Sequence, residues 1–232
     1  MNAASDASRA RRPRFAVRAV LFDLDGTLAD TAPDLGGALN RMRERRGLAA
    51  LPIAQLSPVA SSGARGMLAA GLDVHPGMPD YEALREEFLN EYDAALDRDS
   101  VLFDGVRASL DALVEHGFAW GVVTNKAERF APRVLAGLGL RTPTLICGDT
   151  TAHAKPHPAP LLEACARLGV RADEAIYVGD DLRDVQAAHA AGMPAVVAGY
   201  GYLGAAAEVS TWQADAVIAT PMALLELIEL AS

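Results

Sequence analysis

Cysteine is almost missing from this chain: Cys147 and Cys165 are all it has among 232 residues. Two thiols are too few for a disulfide framework or a structural zinc site, and they read as small buried residues of a reducing compartment. No run of about 18 uninterrupted apolar residues occurs, so the sequence offers no membrane span, and its first residues hold no apolar stretch long enough for a signal peptide. A cytoplasmic location is the expectation. Basic residues are in the minority, 21 Lys and Arg against 30 Asp and Glu, for a formal net charge of −9. That balance argues against a general nucleic-acid binder, whose phosphate contacts demand clustered cations. It leaves room for a small phosphorylated partner, because a divalent cation and a few local basic groups can reverse the sign of one pocket. Internal repeats, low-complexity tracts and Pro-rich linkers are absent as well.

What is present suits one α/β domain with a smaller one attached, and a hydrophobic content of 51% can fill a sizeable core. Residues 1–16 read as a disordered arm, Ala-, Ser- and Arg-rich, in which Arg9, Arg11, Arg12 and Arg14 lead to Arg18. Ala16 to Leu24 is too continuously apolar for an exposed edge and predicts a buried parallel strand. From Ala32 to about Asp99 the period becomes helical, with Leu35, Leu39 and Met42, then Met67 and Leu68, then Tyr81, Leu84, Phe88, Leu89 and Tyr92, broken at Gly47, Pro52, Pro58, Gly71, Pro76 and Pro79. Beyond Leu102 short apolar runs at Phe118–Thr124, Thr144–Cys147, Ala175–Gly179 and Pro194–Ala198 alternate with helices near Val106–His116, Ala127–Leu138, Pro158–Leu168 and Leu182–Ala191. Such alternation implies an α/β fold, a doubly wound parallel sheet covered on both faces. Ala216–Ala219 adds an edge strand and Met222–Leu230 a closing amphipathic helix. The expected organisation is therefore a core of residues 17–32 and 103–232 with a helical insert, residues 33–102, after the first strand.

Four stretches carry chemistry: Val20-Leu21-Phe22-Asp23-Leu24-Asp25-Gly26-Thr27, Val122-Val123-Thr124-Asn125, Lys155-Pro156, and Val178-Gly179-Asp180-Asp181-Leu182-Arg183-Asp184. Three of them sit where an apolar β-branched run ends in polar groups, which is how strands deliver side chains to the carboxyl edge of a parallel sheet. Carboxylates, a hydroxyl and an ammonium gathered there suit a magnesium-assisted phosphoryl transfer.

These motifs, in this order and over nearly all the chain after Val17, resemble the haloacid dehalogenase superfamily and, within it, phosphatases of the phosphoglycolate phosphatase type. The resemblance implies a Rossmann-like core with a small helical cap. It implies a Mg²⁺-dependent phosphomonoester hydrolase with Asp23 as nucleophile and Asp25 as the acid that protonates the leaving group and then activates water. Thr124, Asn125 and Lys155 would hold the phosphoryl group. Asp23, Asp180 and the main-chain carbonyl of Asp25 would hold the metal, supported by Asp181, Asp184 and Thr27, with Thr27 tightening the turn that holds the acid. In the insert, Ser61-Ser62-Gly63-Ala64-Arg65 reads as a loop gripping the leaving group through Gly63 and Arg65. Finer details, among them Trp120-Gly121-Val122-Val123-Thr124-Asn125-Lys126 and Gly199-Tyr200-Gly201-Tyr202, look more like the bacterial N-acetylmuramic acid 6-phosphate phosphatases of cell-wall recycling. Phosphoglycolate phosphatase is the alternative, and a sugar phosphomutase of the β-phosphoglucomutase type a further one. Asp25 speaks against a dehalogenase. The expected partner is a small-molecule phosphomonoester, with no nucleic acid and no membrane, in a monomer or homodimer.

Overall fold

The computed structural model describes residues 15–96, 98–204 and 208–231. Most of the expected N-terminal arm, including Arg9, Arg11, Arg12 and Arg14, lies outside these residues. Strands β1 (Phe15–Val17), β2 (Ala19–Phe22) and β3 (Ala29–Asp30) lead into the helical segment: α1 (Ala32–Arg45), α2 (Ile53–Leu56), a 3-10 turn over Ser57–Ser62, α3 (Gly63–Leu72) and α4 (Tyr81–Asp93). The chain returns through β4 (Val101–Leu102) and continues as α5 (Val106–Glu115), β5 (Ala119–Val123), α6 (Ala131–Gly137), β6 (Leu145–Ile146), α7 (Ala159–Leu168), β7 (Ala175–Gly179), α8 (Leu182–Ala191), β8 (Ala195–Ala198), β9 (Ala216–Ile218) and β10 (Ile228–Leu230).

Six of these strands form one parallel sheet in the order β6-β5-β2-β7-β8-β9. Its central strands are buried on both faces, and their alternation splits the core in two. Val20, Phe22, Trp120, Val122, Ile176 and Val178 face one apolar cluster; Ala19, Leu21, Val123, Ala175 and Tyr177 face the other. From β2 the chain winds toward β5 and β6, and from β7 it winds toward β8 and β9. The carboxyl ends of β2 and β7 are thus the place where the winding reverses, and there an open α/β sheet leaves a crevice.

The helical segment hangs on two chain crossings that pair as the antiparallel strands β3 and β4. Asp34, buried in the first turn of α1, accepts the amides of Asp99 and Ser100 at 3.0 Å each and the Ser100 hydroxyl, tying the outgoing chain to the incoming one. Tyr202 secures the same point from the core, its hydroxyl accepting the amides of Thr31 (2.7 Å) and Ala32 (2.8 Å) and donating to Asp30 (2.8 Å).

Three local expectations are corrected. Ala16–Leu24 is not one strand: Phe15–Val17, partly assigned to the arm, pairs with Ile228–Leu230 in a separate two-stranded sheet, and the main-sheet strand starts at Ala19. Met222–Leu230 is not a helix but a 3-10 turn over Pro221–Glu226 followed by β10, drawn out by that pairing. The helix expected from Ala127 starts at Ala131, because the preceding turn bonds elsewhere: the Glu128 amide donates to Asp149 and Arg129 reaches Asp93 of α4. Among the described residues no helix is long and apolar enough to cross a membrane.

Candidate active site

Asp23 follows β2, its amide donating to the Val178 carbonyl across the β2–β7 crevice at 2.9 Å. The residue is 7% exposed and its Oδ1 lies 3.0 Å from Lys155 Nζ, while the Leu24 amide donates to the same oxygen at 2.8 Å. Lys155 has several partners. Its ammonium also lies 2.7 Å from Asp184 Oδ1 and donates to the Val123 carbonyl (3.0 Å) and the Tyr177 hydroxyl (2.6 Å). Burial works against the charge of Lys155, but Asp184 and Asp23 overcome it and its pKa lies above the ordinary lysine value. Burial pushes the Asp23 carboxyl up to about 7 against the pull of Lys155.

Asp25 has its own cation. Lys126 Nζ meets its Oδ1 at 2.7 Å, and the Thr31 hydroxyl donates to that oxygen too. Burial of Lys126 is outweighed by Asp25, and its pKa is raised as well. Sequence reasoning missed both Lys126 and Thr31. Lys126 directly follows Thr124-Asn125, and that adjacency was the available signal.

Asp180 closes the floor after β7. Its Oδ1 accepts the Thr27 hydroxyl (3.1 Å), and its Oδ2 accepts the Tyr202 amide and the Ser61 hydroxyl, each at 3.0 Å. Thr27 therefore braces Asp180, and Thr31 does the work for Asp25 that was expected of Thr27. Gly26 makes this packing possible: it takes φ +85°, and a Cβ there would run into the Asp180 carboxylate. The Ser61 bond crosses from the helical segment to the core, so Ser61 meets a core carboxylate instead of the leaving group expected for its loop.

Asp23, Asp180 and Asp184 bring carboxylate oxygens within 4.8 Å of one another, all buried. Asp184, expected behind the metal ligands, stands in this cluster; the side chain of Asp25 does not. Burial first, then Asp23 and Asp184, push the Asp180 carboxyl well above its ordinary value. The three carboxylates share one ammonium, Lys155, whereas Asp25 is matched by Lys126 and Asp181 by Arg183 at 2.8 Å. Two formal negative charges stay unbalanced, the charge of one divalent cation, and an all-oxygen set suits a hard one. The residues fit such an ion.

Thr124 is 2% exposed at the end of β5, and its Oγ1 accepts the Lys126 amide at 3.1 Å, which leaves the hydroxyl proton free to donate. Asn125 is occupied differently from the expectation. Its amide donates to the Lys155 carbonyl and accepts the Lys155 amide, both at 2.9 Å, so it positions the lysine. Asp181 caps α8, accepting the Arg183 amide at 2.9 Å, and Arg183 in turn reaches the Ser61 carbonyl at 2.9 Å.

Above this floor lies a cavity of about 340 Å³. Asp23, Asp25, Thr124 and Lys155 line its base; Gly63, Arg65, Tyr81, Arg85, Phe88 and Tyr92 from the helical segment line its walls. Gly63 starts α3 at φ +54°, ψ −141°, a backbone open to glycine, and Arg65 is exposed on the next turn.

Residues 20–198 match the family model of haloacid dehalogenase-like hydrolases, and the chain belongs to that family. Within it the enzyme is a phosphatase, a phosphoric monoester hydrolase. The chain is 49% identical over 211 residues to a phosphoglycolate phosphatase of Xanthomonas campestris, covering 90% of this chain and 95% of that one. It is 38% identical over 218 residues to an N-acetylmuramic acid 6-phosphate phosphatase of Pseudomonas aeruginosa, covering 93% and 96%. A solved hydrolase of the same superfamily from Geobacter sulfurreducens superposes with a TM-score of 0.70 at 25% identity, covering 93% of this chain and 98% of the other.

Proposed function

We propose that the enzyme hydrolyses a sugar-sized phosphomonoester, N-acetylmuramic acid 6-phosphate, by way of an aspartyl-phosphate at Asp23 and with Mg²⁺ as cofactor. The observation that carries the reading is the pair of carboxylates at the cavity base, Asp23 3.0 Å from Lys155 and Asp25 2.7 Å from Lys126, beneath a cavity of about 340 Å³. Pockets that enclose drug-sized ligands measure roughly 300–1,000 Å³, far more than a two-carbon glycolate fills.

Asp23 attacks phosphorus as the P–O bond to the leaving group breaks, and Asp25 gives its proton to the departing alkoxide. Asp25, now a carboxylate, takes a proton from the water that forms the new P–O bond as the bond to Asp23 breaks. Lys155 and the Thr124 hydroxyl hold the phosphoryl oxygens during both displacements. Asn125 fixes the main chain of Lys155, and Asp184 fixes its ammonium. Asp23, Asp180 and the Asp25 carbonyl, with Asp184 beside them, would hold the magnesium ion, which when bound neutralises phosphoryl charge. Arg65 is available to an anionic group of the substrate.

Phosphoglycolate is the second reading, favoured by the name of the relatives at 49% identity. Phosphate release from N-acetylmuramic acid 6-phosphate, phosphoglycolate and hexose phosphates, with Mg²⁺ and with EDTA, separates the two. The proposal expects the highest kcat/KM for the muramic ester and no turnover with EDTA. A preference for phosphoglycolate overturns the substrate, and turnover in EDTA overturns the metal.

A further inference from the structure

Helix α4 presents one face to the cavity. Tyr81, Arg85, Phe88, Leu89 and Tyr92 all line it, at offsets of four, seven, eight and eleven residues from the first, the spacing of a single helical stripe. The two ends of that stripe differ. Near the core, Tyr92 packs edge-on to Phe130 with ring centroids 5.3 Å apart, and the Lys126 ammonium lies 5.0 Å from its ring centre. The next residue, Asp93, is bound by Arg129 at 2.7 Å and also by Arg133, which pins this end of α4 to the core. Tyr92 is only 2% exposed, yet its hydroxyl has no hydrogen-bond partner among the described residues. A buried polar atom of this kind costs free energy unless something satisfies it.

Two turns up the helix stands Arg85, exposed and engaged in no ion pair or hydrogen bond among the described residues. Seven residues of helix separate it from Tyr92 by about 10 Å along the axis. Helical side chains lean toward the N-terminus, so Arg85 leans away from the catalytic carboxylates. Between the ends the stripe is apolar, with Phe88 and Leu89.

From these observations, and resting on the phosphatase reading above, we infer that α4 selects the leaving group by length and charge: Tyr92 bonds a polar group close to the ester, and Arg85 binds a carboxylate at its far end. A glycolate carboxylate lies one carbon from the ester oxygen and is too near Asp25 to meet Arg85. A hexose ring between the ester and an acidic substituent spans the stripe, and its apolar face has Leu89 to lie on. Arg85 is then a specificity residue separate from Arg65, which lies in the first turn of a different helix, α3.

The experiment compares kcat/KM for N-acetylmuramic acid 6-phosphate with that for N-acetylglucosamine 6-phosphate, which has the same ring and no carboxylate, and includes phosphoglycolate. Arg85→Ala lies on an exposed helical surface where alanine keeps the helix, so folding is preserved. It should cut the preference for the carboxylated over the uncharged sugar phosphate by about ten- to a hundredfold, chiefly through KM, with partial recovery in Arg85→Lys. Tyr92→Phe should lower kcat/KM for both sugar phosphates by roughly threefold or more while leaving thermal stability no lower, since it deletes an unpaired buried hydroxyl. An Arg85→Ala protein that keeps the wild-type preference overturns the inference. So does a wild type that releases phosphate from phosphoglycolate but from neither sugar phosphate, although hydrolysis itself is then upheld. No phosphate release from any of the three esters would remove the phosphatase reading and the inference with it.

Discussion

Two donors meet one oxygen of Asp25, the Lys126 ammonium at 2.7 Å and the Thr31 hydroxyl, and they fix the carboxyl at the cavity base. If Asp25 supplies the proton, Asp25→Asn should slow hydrolysis of an alkyl phosphate by about 10²–10⁴-fold. The same change should slow a nitrophenyl phosphate far less, because nitrophenolate departs without a proton. Equal losses in a steady-state comparison would refute the assignment. Residues of this kind were legible from their motifs: Asp23, Asp25, Thr124 and Lys155 line the cavity base, and Asp180 lies in the carboxylate cluster with Asp23. Several of their supports were not legible, because they come from distant chain. Ser61 lies 119 residues from the Asp180 it donates to, and Tyr177 lies 22 residues from the Lys155 it accepts from. Adjacency misled in the case of Thr27, which was read as a brace for its neighbour Asp25 and instead donates to Asp180.

At the scale of elements, the outgoing and incoming crossings of the helical segment, paired as β3 and β4, are also joined through one carboxylate, Asp34. Asp34→Ala leaves the Asp99 and Ser100 amides without their partner, and hydrogen bonds to a charged acceptor contribute about 1.5–3 kcal/mol. Thermal melting should therefore shift down by roughly 3–10 °C at this chain length. An unchanged melting temperature would show that β3 and β4 hold the crossings without Asp34. Sheet strands and the helices that cover them were readable because continuous apolar runs of this length have few alternatives in a doubly wound fold. The chain ends were not readable. Met222 to Leu230 has the apolar repeat of a helix, but Ile228, Glu229 and Leu230 pair with Phe15, Ala16 and Val17, a contact between segments far apart in the chain that no local pattern encodes.

For the whole molecule, the unbalanced charge at the crevice links stability to both metal and pH. With no cation bound, the native Asp23 carboxyl titrates near 7, above the 3.8 of an ordinary aspartate, and Asp180 is shifted the same way. Between those values the native state holds protons that the unfolded chain has released. Stability of the metal-free protein is complete below pH 4 as far as these groups are concerned, and it falls as pH rises toward 7. If Mg²⁺ binds this cluster it replaces those protons, so the gain in melting temperature on adding Mg²⁺ should be larger at pH 8 than at pH 5. A gain that is equal at both pH values, or absent in melting curves recorded with and without EDTA, would contradict a cation site at Asp23, Asp180 and Asp184. The proposed mechanism turns on one covalent bond, between phosphorus and Asp23. The most direct measurement is an acid quench during turnover of substrate labelled in its phosphate, followed by mapping of the label on the chain. The account predicts phosphate on Asp23 in a hydroxylamine-labile acyl linkage, at a higher level in Asp25→Asn and absent in Asp23→Asn. Turnover with no covalent phosphate, or with the label on another residue, would contradict it.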